Sequence, residues 1–311
     1  MLNLPKIRFL GTHRSSRTEA LNQRLRRTGL WNVFNPSIVA VAGGVAVAFR
    51  AGRWPGDKPF RAYYLPPDDS CETLIDLTGT FALAGSAHIC DPKLLKLDNE
   101  IWVTFNTGHF EKPNRIFIAQ LHPSLSDPYE LILSDRNQIE KNWALFRRNG
   151  TLYAVYSVQP LVILRALDRR STARTIEFER VQDDAAGATV GQGSLTLGSQ
   201  LVALDSCASE FGAIVHWKLH VGKKRTYIGL PARIRRNGDI LVANIGYTYL
   251  IHSFRALFGG SILHNPNLLS CTYVSGITIA DDCALISYGI NDIDAGFAEI
   301  PVRKVGFNMG A

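Results

Sequence analysis

A strand, a tight turn and a second strand recur five times along the chain, and this recurrence limits the fold more than any single motif does. The first copy runs from Phe34 to Val39, turns at Gly43-Gly44 and returns through Val45 to Gly52. The second occupies Cys90 to Gly108, with a polar turn at Asp98-Asn99. The third runs from Glu140 to Phe146, turns at Asn149-Gly150 and returns through Leu152 to Ser157. In the fourth, Gly198 to Val202 is answered by Gly212 to Trp217 across a longer connection. The fifth pairs Val274 to Ile279 with Ala284 to Gly289 around Asp281-Asp282.

Short runs of Val, Ile, Leu, Phe and Tyr broken by Gly, Pro, Asn and Asp, with few stretches of helical period, make the body all-β. Copies begin about 50 to 80 residues apart, a spacing that suits four-stranded blades better than a solenoid of shorter repeats. The expected architecture is therefore a five-bladed β-propeller over residues 31–311, preceded by a short basic N-terminal arm over 1–30 that carries a helix from Arg17 to Arg27. In such a disc the start of each innermost strand faces the central channel. Asn35, Asp91, Asn142, Ser199 and Gly276 are then expected to ring one pocket, with Arg50, Tyr156, His216 and Tyr288 added by the neighbouring strand ends.

Composition narrows the partners. With 46% hydrophobic and 20% charged residues the chain has the make-up of a soluble globular protein. A net charge of +7 favours an anionic partner such as a phosphate, a nucleotide, an acidic glycan or a lipid surface. The arginines at 14, 17, 24, 26 and 27 form either a solvated helix face or a docking face for an anionic membrane surface. Lys223-Lys224-Arg225 and Arg233 to Arg236 lack interleaved aromatics and read as hairpin tips, so no nucleic-acid partner is expected. Five cysteines, odd in number and without CxxC spacing, read as reduced thiols; no metal or cofactor is expected, and the address is cytoplasmic. No run approaches the roughly 18 apolar residues of a membrane span.

The ring holds one strong acid candidate. Asp91, at the start of a rigid strand and shielded by others, is expected to keep its proton to a higher pH and give it to a leaving oxygen, although an Asp before proline can equally cap its own turn. Lys141, Arg50 and His216 are the cationic candidates, and together they would seat a phosphate. Between apolar Val215 and Trp217, His216 also fits the pattern of a core histidine. Trp143, Trp217 and Tyr288 offer flat faces for a sugar ring or, equally, for core packing.

From about Asn35 to Ile300 these motifs, in this order, resemble the β-mannoside phosphorylases and hydrolases of glycoside hydrolase family 130 and related β-mannosyltransferases. The family's Asn-Pro followed by a strand ending in Tyr-Arg is similar to Asn35-Pro36 and Phe49-Arg50. Its Glu-Asp-x-Arg motif is matched by Cys90-Asp91-Pro92-Lys93, where Cys stands for Glu and Lys for Arg. Lys141 to Phe146 resembles its Lys motif ending in Leu-Phe, and Tyr288-Gly289-Ile290-Asn291-Asp292 its closing Tyr-Gly-x-x-Asp. Its Arg-Asn phosphate pair finds a counterpart at best in Arg136-Asn137. The resemblance implies inverting glycosyl transfer at a β-linked sugar, most plausibly mannose. Asp91 would be the acid, Lys141, His216 and Arg50 the phosphate ligands, and Asn35, Asn142, Trp143, Tyr288 and Asp292 the sugar contacts. The phosphate-bearing partner is inorganic phosphate, a sugar phosphate or a nucleotide sugar. A hydrolase of the same fold, with Asp292 as base, and a non-catalytic glycan-binding propeller stand as alternatives.

Overall fold

The computed structural model describes residues 6–53, 60–67, 73–82, 88–167, 174–184, 195–205, 207–257, 265 and 267–307. Cys71 lies outside them. The fold is all-β, with short helices at its margins.

Strands follow one another in antiparallel meanders. The first comprises β1's successors β2 (Phe34–Val41), β3 (Gly44–Ala51), β4 (Arg61–Leu65) and β5 (Ile75–Asp76), β1 itself being Lys6–Phe9. The second is β6 (Cys90–Leu97), β7 (Glu100–Asn106), β8 (Ile116–His122) and β9 (Tyr129–Leu133). The third is β10 (Ala144–Arg148), β11 (Thr151–Val158), β12 (Leu161–Ala166) and β13 (Thr175–Asp183), joined to the second by parallel pairing of β13 with β9.

In the fourth, β14 (Leu195–Leu197) and β15 (Val202–Ala203) both pair with β16 (Glu210–Val221). The chain continues through β17 (Lys224–Asn237), β18 (Ile240–Ile245) and β19 (Thr248–Ile251). The fifth is β20 (Leu268–Ala280), β21 (Cys283–Ile290) and β22 (Asp294–Pro301), with β20 running parallel to β17 where they pair. The sheets thus group as ten, eight and four strands.

The turns have the chemistry that two-residue hairpins require. Asp281 and Asp282 both take positive φ, at 52° and 59°, as do Asn149 and Gly150 at 49° and 78°. Three inner strands carry another local device. Pairing skips between Phe34 and Ser37 and between Cys90 and Lys93, so β2 and β6 begin with a bulge, and between Val274 and Gly276, midway along β20. Asn35, Asp91 and Asn142 stand at φ 50°, 50° and 62°, a region that Asn and Asp tolerate best among residues with a side chain.

The first strands of all five meanders are tied together. Leu94 N donates to Ser37 Oγ at 2.9 Å, and Pro36 O accepts from the hydroxyls of Ser275 and Ser287. Gln200 donates to Thr104 Oγ1 at 3.0 Å and Trp143 O at 2.9 Å while accepting from Leu145 N. Gly276 is needed here because a Cβ would lie 2.6 Å from Ile38 N. Ser199, which accepts from Ile214 N, is likewise wholly interior. These two positions are scaffold, contrary to the expectation that they line a pocket.

The N-terminal segment closes over the first and last meanders. β1 runs parallel to β19, and α1 (Ser16–Arg27), capped by Ser15 and Thr18, buries Leu21 and Leu25 against Ile38, Val47, Leu285 and Phe297. Its arginine face is not wholly free. Arg24 is buried and donates to Val45 O at 2.7 Å and to Pro66 O, while Arg17 bridges Asp281 and Glu299, each at 3.0 Å. Arg233, expected at a solvated tip, forks onto Glu210. Among the described residues no helix is long and apolar enough to cross a membrane.

Candidate active site

Asp91 is the centre of a cationic cluster. Its carboxylate lies 3.3 Å from Lys141 Nζ and 3.9 Å from Arg50 Nη1, with only a tenth of the side chain exposed. Each partner comes from a different meander: Arg50 from the end of β3, opposite Phe34, and Lys141 from the approach to β10. The third cation is Lys93, which is 1% exposed and donates to Gly198 O.

The electrostatics reverse one expectation. Burial by itself pushes the Asp91 carboxyl up, but the charges of Lys141, Arg50 and Lys93 outweigh it and hold the pKa down to about 2. Asp91 is thus held ionised rather than poised with a raised pKa. Burial drives Lys93 down to about 8, with Asp91 pulling the other way and Lys141 adding to the fall.

His216 is fully buried, and burial together with the Lys93 charge pushes it down to about 3. The Val274 backbone beside the ring pulls the other way, and among the described residues neither ring nitrogen has a hydrogen-bond partner. The expected cation is a neutral imidazole, and it is sealed off from solvent.

Tyr273, on β20, gathers these groups. Its hydroxyl accepts from Asn142 Nδ2 at 3.1 Å, its ring centroid lies 4.2 Å from that of His216, and Lys93 Nζ sits 5.0 Å from the same centroid. Tyr227 stands edge-on at 6.2 Å, and Arg225 lies over the face of Tyr227 at 5.9 Å. Arg225 and Lys141 both lower the pKa of His109, after burial, so their charges act on one place. The run Lys223 to Arg225 does lie at the β16–β17 hairpin turn, as expected, with Lys223 exposed and Arg225 partly buried on the strand that leaves it. Asp292, at φ 59°, accepts from Asn265 at 3.0 Å and bears on Tyr227 and Cys271.

Of the residues expected at the site, Asp91, Lys141, Arg50 and Asn142 converge, His216 lies beneath them, and Asp292 borders Tyr227. Trp143 and Tyr288 do not join them. Trp143 is 1% exposed among Leu95, Leu131, Ala154 and Phe178, and Tyr288 is 3% exposed beside Leu10 and Ile214. Both are core aromatics, correcting their expected role as sugar platforms. Asn35 is buried with Oδ1 turned to Gly289, where a Cβ would lie 1.9 Å away. Arg136-Asn137 is turned elsewhere too: Asn137 N donates to Glu140 Oε1 at 2.7 Å and Asn137 Nδ2 to Tyr156.

Tyr273, Tyr227, Arg225 and His109 were not legible as site residues. Tyr273 directly precedes the start of the fifth repeat copy, so a repeat boundary placed one residue earlier would have included it. Lys93 stood out only as a departure from a motif.

By sequence the chain matches no family model and no curated protein. By structure it is similar to a β-1,2-mannobiose phosphorylase from Listeria innocua, at 12% identity and TM-score 0.52, over 89% of this chain and 91% of that one. A glycosyl hydrolase from Bacteroides ovatus is similar at 11% identity and TM-score 0.52, over 86% and 85%. A structure from work on the GH130 family of mannoside phosphorylases, which contains glycoside hydrolases targeting β-1,2-mannosidic linkages in Candida mannan, is similar at 12% identity and TM-score 0.53, over 86% and 84%. The chain therefore shares the fold of structures that include mannoside phosphorylases of this family.

Proposed function

We propose that this protein is a carbohydrate-active enzyme on a five-bladed β-propeller spanning residues 31–311, transferring a β-linked mannosyl group with inversion between a hydroxyl and a phosphate-bearing partner. The observation that carries the reading is the lone Asp91 carboxylate set against Lys141 and Arg50, at 3.3 and 3.9 Å. The neighbours of this fold that act on mannosides support the substrate class.

The chemistry follows from the charges. An anion resting on Lys141 and Arg50 neutralises the groups that keep Asp91 ionised, so its carboxyl takes up a proton when the anion arrives. In phosphorolysis Asp91 gives that proton to the bridging oxygen as the glycosidic C–O bond breaks. A phosphate oxygen forms the new bond to the anomeric carbon from the opposite face. In the synthetic direction the carboxylate accepts the proton of the attacking hydroxyl, while phosphate leaves with the bonding pair and stays on the cations. A hydrolase would place water where phosphate sits and need a second carboxylate as base, for which Asp292 is the candidate.

Product analysis tests the proposal. The protein is incubated with β-mannosides and inorganic phosphate, and separately with mannose 1-phosphate or a nucleotide sugar and acceptor sugars. Mannose 1-phosphate, or an extended acceptor, is the expected product. Free mannose alone would establish the hydrolase, and no turnover of any of these would leave a glycan-binding propeller.

A further inference from the structure

The fifth meander brings one side chain to the site that the repeat pattern hides. Tyr273 is partly exposed, yet its surroundings come from three other meanders: Lys93 on β6, Asn142 ahead of β10 and His216 on β16. The ring is thus held on several sides, with the Lys93 ammonium over its face.

Among the described residues its hydroxyl makes one hydrogen bond, and there it is the acceptor, taking the Asn142 Nδ2 hydrogen at 3.1 Å. A phenol that accepts still has its own hydrogen to give. Burial, with the Asp91 charge adding to it, raises the Tyr273 pKa well above the ordinary value, so that hydrogen stays on the oxygen. At the other end of the same amide, Asn142 Oδ1 is buried and has no hydrogen-bond partner among the described residues. Buried acceptors without a donor are rare in folded proteins, and one beside a charged cluster calls for a ligand that supplies the hydrogen. One free donor and one free acceptor, fixed side by side on a rigid ring and a left-handed Asn at φ 62°, complement a group that both accepts and donates. An alcohol does both.

We propose that Tyr273 and Asn142 form a hydroxyl-recognition pair that selects one hydroxyl of the bound pyranose, the phenol donating to it and Asn142 Oδ1 accepting from it. This rests on the carbohydrate reading above and deepens it by naming the groups that set sugar specificity. Tyr273 also acts as a positioning residue, because without its hydroxyl the Asn142 amide is free to turn and present its nitrogen instead. The chemistry at Asp91 does not pass through this pair.

Calorimetric binding of methyl β-mannopyranoside and its four monodeoxy analogues, to the native protein and to Tyr273→Phe, tests the pair without relying on turnover. The native protein is expected to bind one deoxy analogue at least about tenfold more weakly than the parent, since a site built around a hydroxyl rejects the analogue that lacks it. In Tyr273→Phe that preference should vanish at the same position and persist at the others, and Asn142→Ala should repeat the pattern. Sulfate binding should be unchanged in Tyr273→Phe, showing that the fold and the cationic cluster are intact. Equal weakening toward all five sugars, or an unaltered preference, overturns the pair and leaves the carbohydrate reading standing. A native protein that binds sulfate but no pyranoside overturns both.

Discussion

The first and second meanders begin alike and end as different things. Asn35-Pro36-Ser37 and Asp91-Pro92-Lys93 share a bulge, a proline and a left-handed residue at φ 50°. In the first, the amide oxygen presses on Gly289 and the Ser37 hydroxyl ties two strands together. In the second, a carboxylate meets Lys141 and Arg50, and a lysine is buried where the serine stood. The backbone device is one; the chemistry comes from what the adjoining strands offer. Arg50 itself belongs to the first meander, so the scaffold copy supplies a cation to the reactive one.

The hardest test of that contrast is Asp91→Asn, which keeps shape and backbone while removing charge and proton. Turnover in the product assay should fall by about 10² to 10⁴, the usual worth of general acid–base transfer. The same variant should abolish a second signal. Sulfate does not titrate between pH 4 and 8, so calorimetry in buffers of different ionisation enthalpy should show the native protein taking up a proton with each sulfate, and Asp91→Asn taking up none. Uptake that survives the substitution would mean that the anion does not protonate Asp91.

The contrast also explains what could be read in advance. Strand–turn–strand copies were legible because hydrophobic alternation and paired turn residues such as Asp281-Asp282 are local signals. Asp91, Lys141 and Arg50 could be singled out because they stand at or just before strand ends, outside the alternating pattern. Trp143 and Tyr288 could not be placed, since a one-residue shift in a strand exchanges its two faces, and sequence does not show where a bulge makes that shift. Tyr273 was hidden for the same reason, beside the skip between Val274 and Gly276. The charge state of Asp91 is not legible in the sequence, because the three cations that outweigh its burial are assembled only in the folded chain.

Lys93 against Ser37 gives the next effect. The folded pKa of about 8 lies below the ordinary value of 10.5, so between these pH values the unfolded chain holds more protons and stability rises with pH; below 8 the full cost of the buried charge is present. The shift corresponds to something on the order of 3 kcal/mol. Lys93→Met should remove that climb. The difference in urea midpoint between native and variant, followed from pH 7.5 to 10.5, should favour the variant at the lower end and shrink toward the upper. A constant difference would mean that folding does not lower the Lys93 pKa, the folded protein holding that proton as tightly as the unfolded chain. With one cation gone, the acid limb of any activity profile should also move up, since Asp91 would be held less far below the carboxylate range.

Gly289→Ala strikes the scaffold copy instead. A methyl there would lie 1.9 Å from Asn35 Oδ1 and 2.9 Å from Asn35 N, so both the side chain and the backbone of the first bulge must yield. Overpacking of this kind costs about 1 to 3 kcal/mol, read as a lowered urea midpoint. Adding Asn35→Gly should recover part of it, because the nearer clash is with the side chain and only the backbone contact remains. Throughout, sulfate binding and its linked proton uptake should survive, since among the described residues no hydrogen bond or ion pair joins Asn35 or Gly289 to the Asp91, Lys141 and Arg50 cluster. Loss of that uptake at an unchanged midpoint would make the first bulge part of the reactive centre, and the division between scaffold and site would then fall elsewhere than between these two meanders.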